Sequence, residues 1–336
     1  MKLKQVFIVA AVSMAVSVNA EDGITIPKPN IHGTLRPRYE YAVDDGDMRF
    51  QVRDARVGVD GSLCRMFDYK AEVELCDKGS MKTLDVWGRV NFAPQFKAQL
   101  GNMRMPFNIG SMRAPHQYLF ADRATTDKQV ASPRNVGLKL IYSPAAVPLT
   151  IEGGVFNSKS NSNQQVWQDK MAAAAKARYR IGDMSVIAGF QSLMPGNVRA
   201  NHFSGSLTWE TSSWLLEGEY VYRHYDGDAA PEVHAYDFMA NYGIPVKLGC
   251  FNRLSFQGRW DGITDYSDGV TMDDDGHLAI TTPAFNRLTA GATISYVMAN
   301  VRCDFRLNYE NYFYHSGVTA PDNDRNKLVA ELVVRF

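Results

Sequence analysis

Six basic residues and two acidic ones fall between Gly101 and Leu140: Arg104, Arg113, Arg123, Lys128, Arg134 and Lys139 against Asp122 and Asp127. Such a segment suits electrostatic rather than covalent chemistry. A cationic excess beside a low-dielectric wall attracts anions and repels cations. Arg113 and Arg123 lie well inside the segment and are expected at the narrowest point of a passage. Arg104 and Arg134 sit at its ends and would guide ions toward it. The competing expectation is that these cations neutralise wall carboxylates such as Glu72, Glu74 or Asp85.

Further cations recur at alternate positions of flanking segments. Arg53, Arg89, Lys176, Arg178, Arg180 and Arg259 share the polar parity of their stretches and are expected to line the same passage. Arg56 shares parity with Asp54 and Asp60 but conflicts with Arg53, which a bulge near Asp54 would reconcile. Other chemistry is poorly supplied. The seven His residues are scattered, and none joins a Ser or Cys in a nucleophile motif. No enzyme activity, cofactor or metal is expected. Asp273-Asp274-Asp275-Gly276 lacks the alternate acids of a calcium loop and reads as a solvated tip.

These residues need a wall to hold them, and period-2 alternation provides it. The last stretch is the clearest. Leu328, Ala330, Leu332, Val334 and Phe336 take one face, and Lys327, Glu331 and Arg335 the other. The same pattern predicts strands near 33–42, 48–60, 66–76, 82–92, 95–103, 134–142, 148–157, 169–181, 184–193, 201–210, 214–225, 232–243, 253–263, 286–297, 300–312 and 326–336. An even count with apolar-outward, polar-inward strands is the pattern of a transmembrane antiparallel β-barrel of about sixteen strands. Short connections such as Ala93-Pro94 and Gly182-Asp183 alternate with long polar loops at 104–133, 158–168, 264–285 and 313–325. Strands heading toward the short turns end on Phe92, Tyr142, Tyr179, Trp209, Tyr242, Tyr296 and Phe336, an aromatic girdle. Met171–Arg180 is alanine-rich, which favours helix, yet its charges keep one parity and predict a strand.

Lys2 and Lys4 followed by an apolar run to Val18 and Val18-Asn19-Ala20 read as a signal peptide at 1–20. Residues 21–31 form a short periplasmic lead-in and 32–336 a single barrel domain. Thirty-six basic residues balance thirty-six acidic ones, which argues against a nucleic-acid partner. Cys64, Cys76, Cys250 and Cys303 match no metal spacing, and their pairing is not readable from sequence. Together these features imply a cell outer-membrane protein of a Gram-negative bacterium, in contact with lipid and lipopolysaccharide. The expected function is passive diffusion of small hydrophilic solutes, with preference for anions. A surface adhesin or scaffold is the alternative, and a barrel hydrolase a more distant one.

Arg53-Asp54-Ala55-Arg56-Val57-Gly58-Val59-Asp60-Gly61 and Gly101-Asn102-Met103-Arg104-Met105-Pro106-Phe107 resemble segments of the phosphate-selective porin O and P family. Asn135-Val136-Gly137, Arg259-Trp260-Asp261, Thr289-Ala290-Gly291 and Asn308-Tyr309-Glu310 fit later strands of that family. Over about residues 32 to 336, the resemblance implies a sixteen-stranded porin, a homotrimer, and a third long loop folded inward as a constriction. It also implies that Phe336 is read by the barrel-assembly machinery. Asp54 stands where a second basic residue is usual, and no complete basic ladder maps onto matching positions.

Overall fold

The structure, a computed structural model, describes residues 27–77, 80–128, 130, 134–158, 165–299, 301–318 and 320–336. The signal peptide expected at 1–20 lies outside the described residues.

Sixteen strands form: β1 (Asn30–Ala42), β2 (Met48–Cys64), β3 (Phe67–Asp77), β4 (Ser80–Ala93), β5 (Phe96–Arg104), β6 (Arg134–Tyr142), β7 (Leu149–Asn157), β8 (Met171–Ile181), β9 (Met184–Leu193), β10 (Ala200–Glu210), β11 (Trp214–Tyr225), β12 (Val233–Leu248), β13 (Phe251–Ile263), β14 (Phe285–Met298), β15 (Val301–Tyr314) and β16 (Lys327–Arg335). Each pairs antiparallel with its chain neighbours, and β16 closes on β1 through Leu35↔Val334 and Tyr39↔Ala330. Closure satisfies the backbone groups that a sheet edge would leave open, which a bilayer requires.

Burial is inverted relative to a water-soluble core. Phe50 is 86% exposed and Leu100 65%, whereas Arg287 is 1% and Glu310 0% exposed. The apolar parity faces outward and the charged parity inward, as expected from the alternation. The girdle residues Phe92, Tyr142, Tyr179, Tyr242 and Phe336 are exposed on the outer face. Trp214 and Tyr242 pack across paired strands with centroids 4.5 Å apart and the rings tilted by 38°.

The β1–β2 ladder shifts register between Arg36 and Pro37, pairing Arg36 with Asp54 and Pro37 with Val52. Arg53 is therefore the extra residue of a bulge. This lets Arg53, Asp54 and Arg56 all address the interior despite their conflicting parity. Pro37, which has no N–H, sits where the β1–β16 pairing also lapses, between Leu35↔Val334 and Arg38↔Glu331.

The alanine-rich stretch is strand β8, paired along its length with β7 and β9. Ladder pairing on both sides overrides its helix propensity. Ala172 and Ala174 point inward, fully buried against Met103, Met105 and Phe156, where a larger side chain would have no room. A second inward apolar cluster joins Phe107, Val221, Val233, Ala235, Ile263 and Phe285. Alternation alone predicted a polar lumen throughout. Instead, these clusters fill parts of it.

Candidate functional site

The segment between β5 and β6 packs against the inner wall. Gly101 opens the approach with φ +133, and a Cβ there would lie 2.3 Å from the Val86 carbonyl, so only glycine fits. Asn108 caps the short helix Ile109–Met112 by accepting from the Ser111 N–H at 3.0 Å. Its amide also donates to Glu219 of β11 at 2.8 Å, and the Ile109 N–H donates to the same carboxylate at 2.9 Å.

Beyond a 3₁₀ turn at Pro115–Gln117 the backbone is held residue by residue. Six consecutive carbonyls accept from wall side chains. Tyr118 accepts from Arg306 at 2.7 Å, Leu119 from Gln257 at 2.9 Å and Phe120 from Arg306 at 3.1 Å. Ala121 accepts from Arg36 at 2.6 Å, Asp122 from Arg259 at 2.9 Å and Arg123 from Arg287 at 2.7 Å. The Ala121 N–H donates to Asn308 at 2.8 Å, and the Thr125 N–H to Asp261 at 2.9 Å. Donors on β1, β13, β14 and β15 thus converge on one loop, whose first residues, Asn108 and Ile109, bind β11. The loop spans the interior.

Two buried carboxylates stand behind these donors. Glu331 accepts from Arg36 at 2.7 Å and from Arg306 at 2.8 Å. Asp261 accepts from Arg287 at 2.7 Å and faces Arg259 at 3.5 Å. The Asp122 side chain adds a third tie, to Lys327 at 2.6 Å and Arg38 at 2.9 Å. Burial pushes its carboxyl upward, but Lys327, Arg38 and Lys128 outweigh that and hold it well below the usual carboxylate range. Asp122 is ionised, and the tie is a charged one.

Between the loop and the β1–β6 wall lies a cavity of about 330 Å³. Arg36, Arg53, Arg56, Lys82, Arg104, Arg123 and Arg134 line it, with Asp54 and Glu74 as its only carboxylates among the described residues. Arg56 is paired with Asp54 at 2.8 Å and Glu74 at 2.7 Å. Among the described residues no ion pair reaches Arg53 or Arg104. Arg104 instead donates to the carbonyls of Ser111, at 2.6 Å, and Arg113. On the opposite side of the loop the wall is acidic, with Glu217, Glu219 and Asp237 around a pocket of only about 30 Å³.

Arg53, Arg104, Arg123 and Arg134 of the expected set meet in the one cavity. Arg123 also faces Asp127 at 3.6 Å, and its guanidinium is pushed above its ordinary value despite burial. Arg134 is paired with Asp85 at 2.8 Å, so part of the neutralisation anticipated for the wall occurs there. Arg113 lies apart from them, ion-paired with Glu217 on the acidic side. Arg259 is 4% exposed and grips the loop rather than facing open space. Arg89 pairs with Asp68 at 2.7 Å and Lys176 with Glu152 at 2.7 Å. Arg178 donates to Ser185 at 3.1 Å, and Arg180 is exposed at the short-turn end of β8. Phe336 exchanges backbone bonds with Gly33 at 2.9 and 3.2 Å.

Arg36, Arg38, Arg287, Arg306 and Lys327 are the functional cations that sequence reasoning passed over. Each stood on the polar parity of a well-marked strand, which was the available signal. What they bind is visible only across the barrel.

No protein-family model matches the chain, and no curated protein matches it either. Solved structures do. An anion-selective porin from Comamonas acidovorans superposes with a TM-score of 0.65 at 10% identity, covering 92% of this chain and 98% of that one. The outer membrane channel DcaP of Acinetobacter baumannii gives 0.62 at 14%, covering 92% and 97%. OmpT of Vibrio cholerae, an outer membrane protein in a trimer form, gives 0.60 at 15%, covering 92% and 98%. The fold is that of the outer-membrane porins. At these identities the likeness carries the architecture and nothing finer.

Proposed function

We propose that this barrel is an outer-membrane diffusion pore for small hydrophilic solutes, with preference for anions. The observation that carries the reading is the 330 Å³ cavity beside the loop, with seven basic side chains against two carboxylates. Low-dielectric walls amplify such an imbalance. Arg53 and Arg104, which no ion pair reaches among the described residues, supply most of the constriction charge. Arg123 and Arg134 add to it beside Asp127 and Asp85. Arg178 and Arg180 extend a basic path along the wall, and Arg89 and Lys176 join that path beside Asp68 and Glu152. Arg113 contributes less, being matched by Glu217. Phosphate is one candidate solute, following the resemblance of the second and fifth strands.

The location follows from the outward apolar face and its aromatic girdle. Export by a signal peptide, assembly through Phe336, contact of the long loops with lipopolysaccharide, and a homotrimeric state complete the proposal. We assign no catalytic role.

The test is the reversal potential across a salt gradient in a planar bilayer. An anion-selective current supports the proposal. A cation-selective current overturns the preference. Insertion without current overturns the pore and leaves a scaffold.

A further inference from the structure

We infer that Glu331 is a positioning residue that sets the bore of the passage without touching it. The inference rests on the pore reading above. Its basis is the order of contacts. Glu331 sits on β16 with its side chain fully buried. One carboxylate oxygen accepts from Arg36 Nε at 3.1 Å and Nη2 at 2.7 Å, and the other accepts from Arg306 Nη1 at 2.8 Å. Those two arginines then donate to the carbonyls of Tyr118, Phe120 and Ala121. Three of the six gripped carbonyls therefore hang on one carboxylate. Asp261 serves the next stretch in the same way, through Arg259 to Asp122, through Arg287 to Arg123, and directly to Thr125.

The two clamps differ in consequence. The Asp261 clamp holds residues 122–125. The Glu331 clamp holds Tyr118, Phe120 and Ala121, and Tyr118 and Ala121 line the basic cavity. Bonds between two fixed ends localise a loop far better than its own short turns can. Without their common anion the two guanidiniums would repel each other, Arg36 falling back on Asp54 at 3.0 Å and Arg306 turning to other partners. Loss of Glu331 should free this stretch and change the width of the cavity it borders.

Glu331→Gln is the sharper variant. Its amide keeps one oxygen, which can satisfy Arg36, but turns an NH₂ toward Arg306 and cannot accept from it. Glu331→Ala removes both grips. Two readouts are taken on trimers that retain heat-modifiable mobility: single-channel conductance with its open-state noise, and hydrogen exchange of residues 118–123. The expected result is a graded one. Exchange at 118–121 rises at least tenfold in Glu331→Ala and less in Glu331→Gln, while strand amides are unchanged. Open-channel noise rises in the same order, and conductance changes by a factor of about two. A native channel that conducts, with both readouts unchanged in the variants, overturns the inference and leaves the pore standing. Faster loop exchange in a protein that passes no current upholds the clamp and removes the pore. Should Glu331→Ala fail to assemble, Glu331→Gln decides alone.

Discussion

Arg36 on β1 donates to the carbonyl of Ala121, in the loop between β5 and β6, at 2.6 Å. The bond joins the first strand to a loop far along the chain, and the guanidinium is simultaneously paired with Asp54 at 3.0 Å and Glu331 at 2.7 Å. A charge that looks available for a passing anion is thus committed to architecture. The distinction between committed and uncommitted cations decides which substitutions should alter selectivity and which should alter stability.

Arg53, which no ion pair reaches among the described residues, and Arg123, whose counter-ion Asp127 stands 3.6 Å away, are the less committed cations. Replacing both with Ala should lower the anion-to-cation permeability ratio. Each charge contributes about 1 kcal/mol at water-like dielectric, so removing both is worth about 2 kcal/mol, a fall of about thirtyfold. Arg113→Ala alone should move the ratio less, because Glu217 already balances it. Reversal potentials measured at one salt gradient for the three proteins check the ranking. An equal effect of Arg113→Ala would relocate the filter to the acidic side.

Arg287 belongs to the committed side. It is 1% exposed, bound to Asp261 and Glu310 and to the carbonyl of Arg123. Arg287→Ala takes the nearer counter-ion from two buried carboxylates, leaving Asp261 only Arg259 at 3.5 Å and Glu310 only Lys327 at 3.8 Å among the described residues, a loss of about 3–5 kcal/mol. Thermal unfolding of the folded barrel in detergent should shift down accordingly, with the drop smaller in Arg287→Lys.

His116 provides a pH dependence. Burial, then the nearby Arg335 and Arg302, lower it from 6.5 to about 4, and its Nδ1 lies 3.2 Å from the Thr34 hydroxyl. Between those values the unfolded chain binds a proton that the folded one refuses. Stability should therefore fall as pH drops from about 6.5 to about 4 and gain no further slope from this group below that. In His116→Asn that part of the slope disappears. Melting temperatures in detergent from pH 7 to pH 4 test this.

The Phe336 ring lies over Gly33, where a Cβ would meet the ring at 2.4 Å. Deletion of Phe336 should lower the outer-membrane level several-fold, and Gly33→Leu, which displaces the ring, should do so in part. Immunoblots of outer-membrane fractions report both. Full abundance of the truncated protein would remove the assembly role.

Strand number, order and facing were legible because they depend on local alternation. Leu328 to Phe336 announces its two faces within ten residues, and so does the alanine-rich β8, whereas β2 carries a parity conflict. The charges of the 104–133 segment were legible for the same reason, since composition requires no folding to read. Arg53 was partly legible, because a parity conflict within one strand exposes a bulge even before the partner strand is known. The fates of the other cations were not. Whether Arg259 faces a solute or grips the Asp122 carbonyl, and whether Arg113 meets open space or Glu217, depends on residues more than a hundred positions away in the chain. Coulomb forces and hydrogen bonds act over a few ångströms, so the choice is made only when closure of β16 on β1 brings those partners within reach.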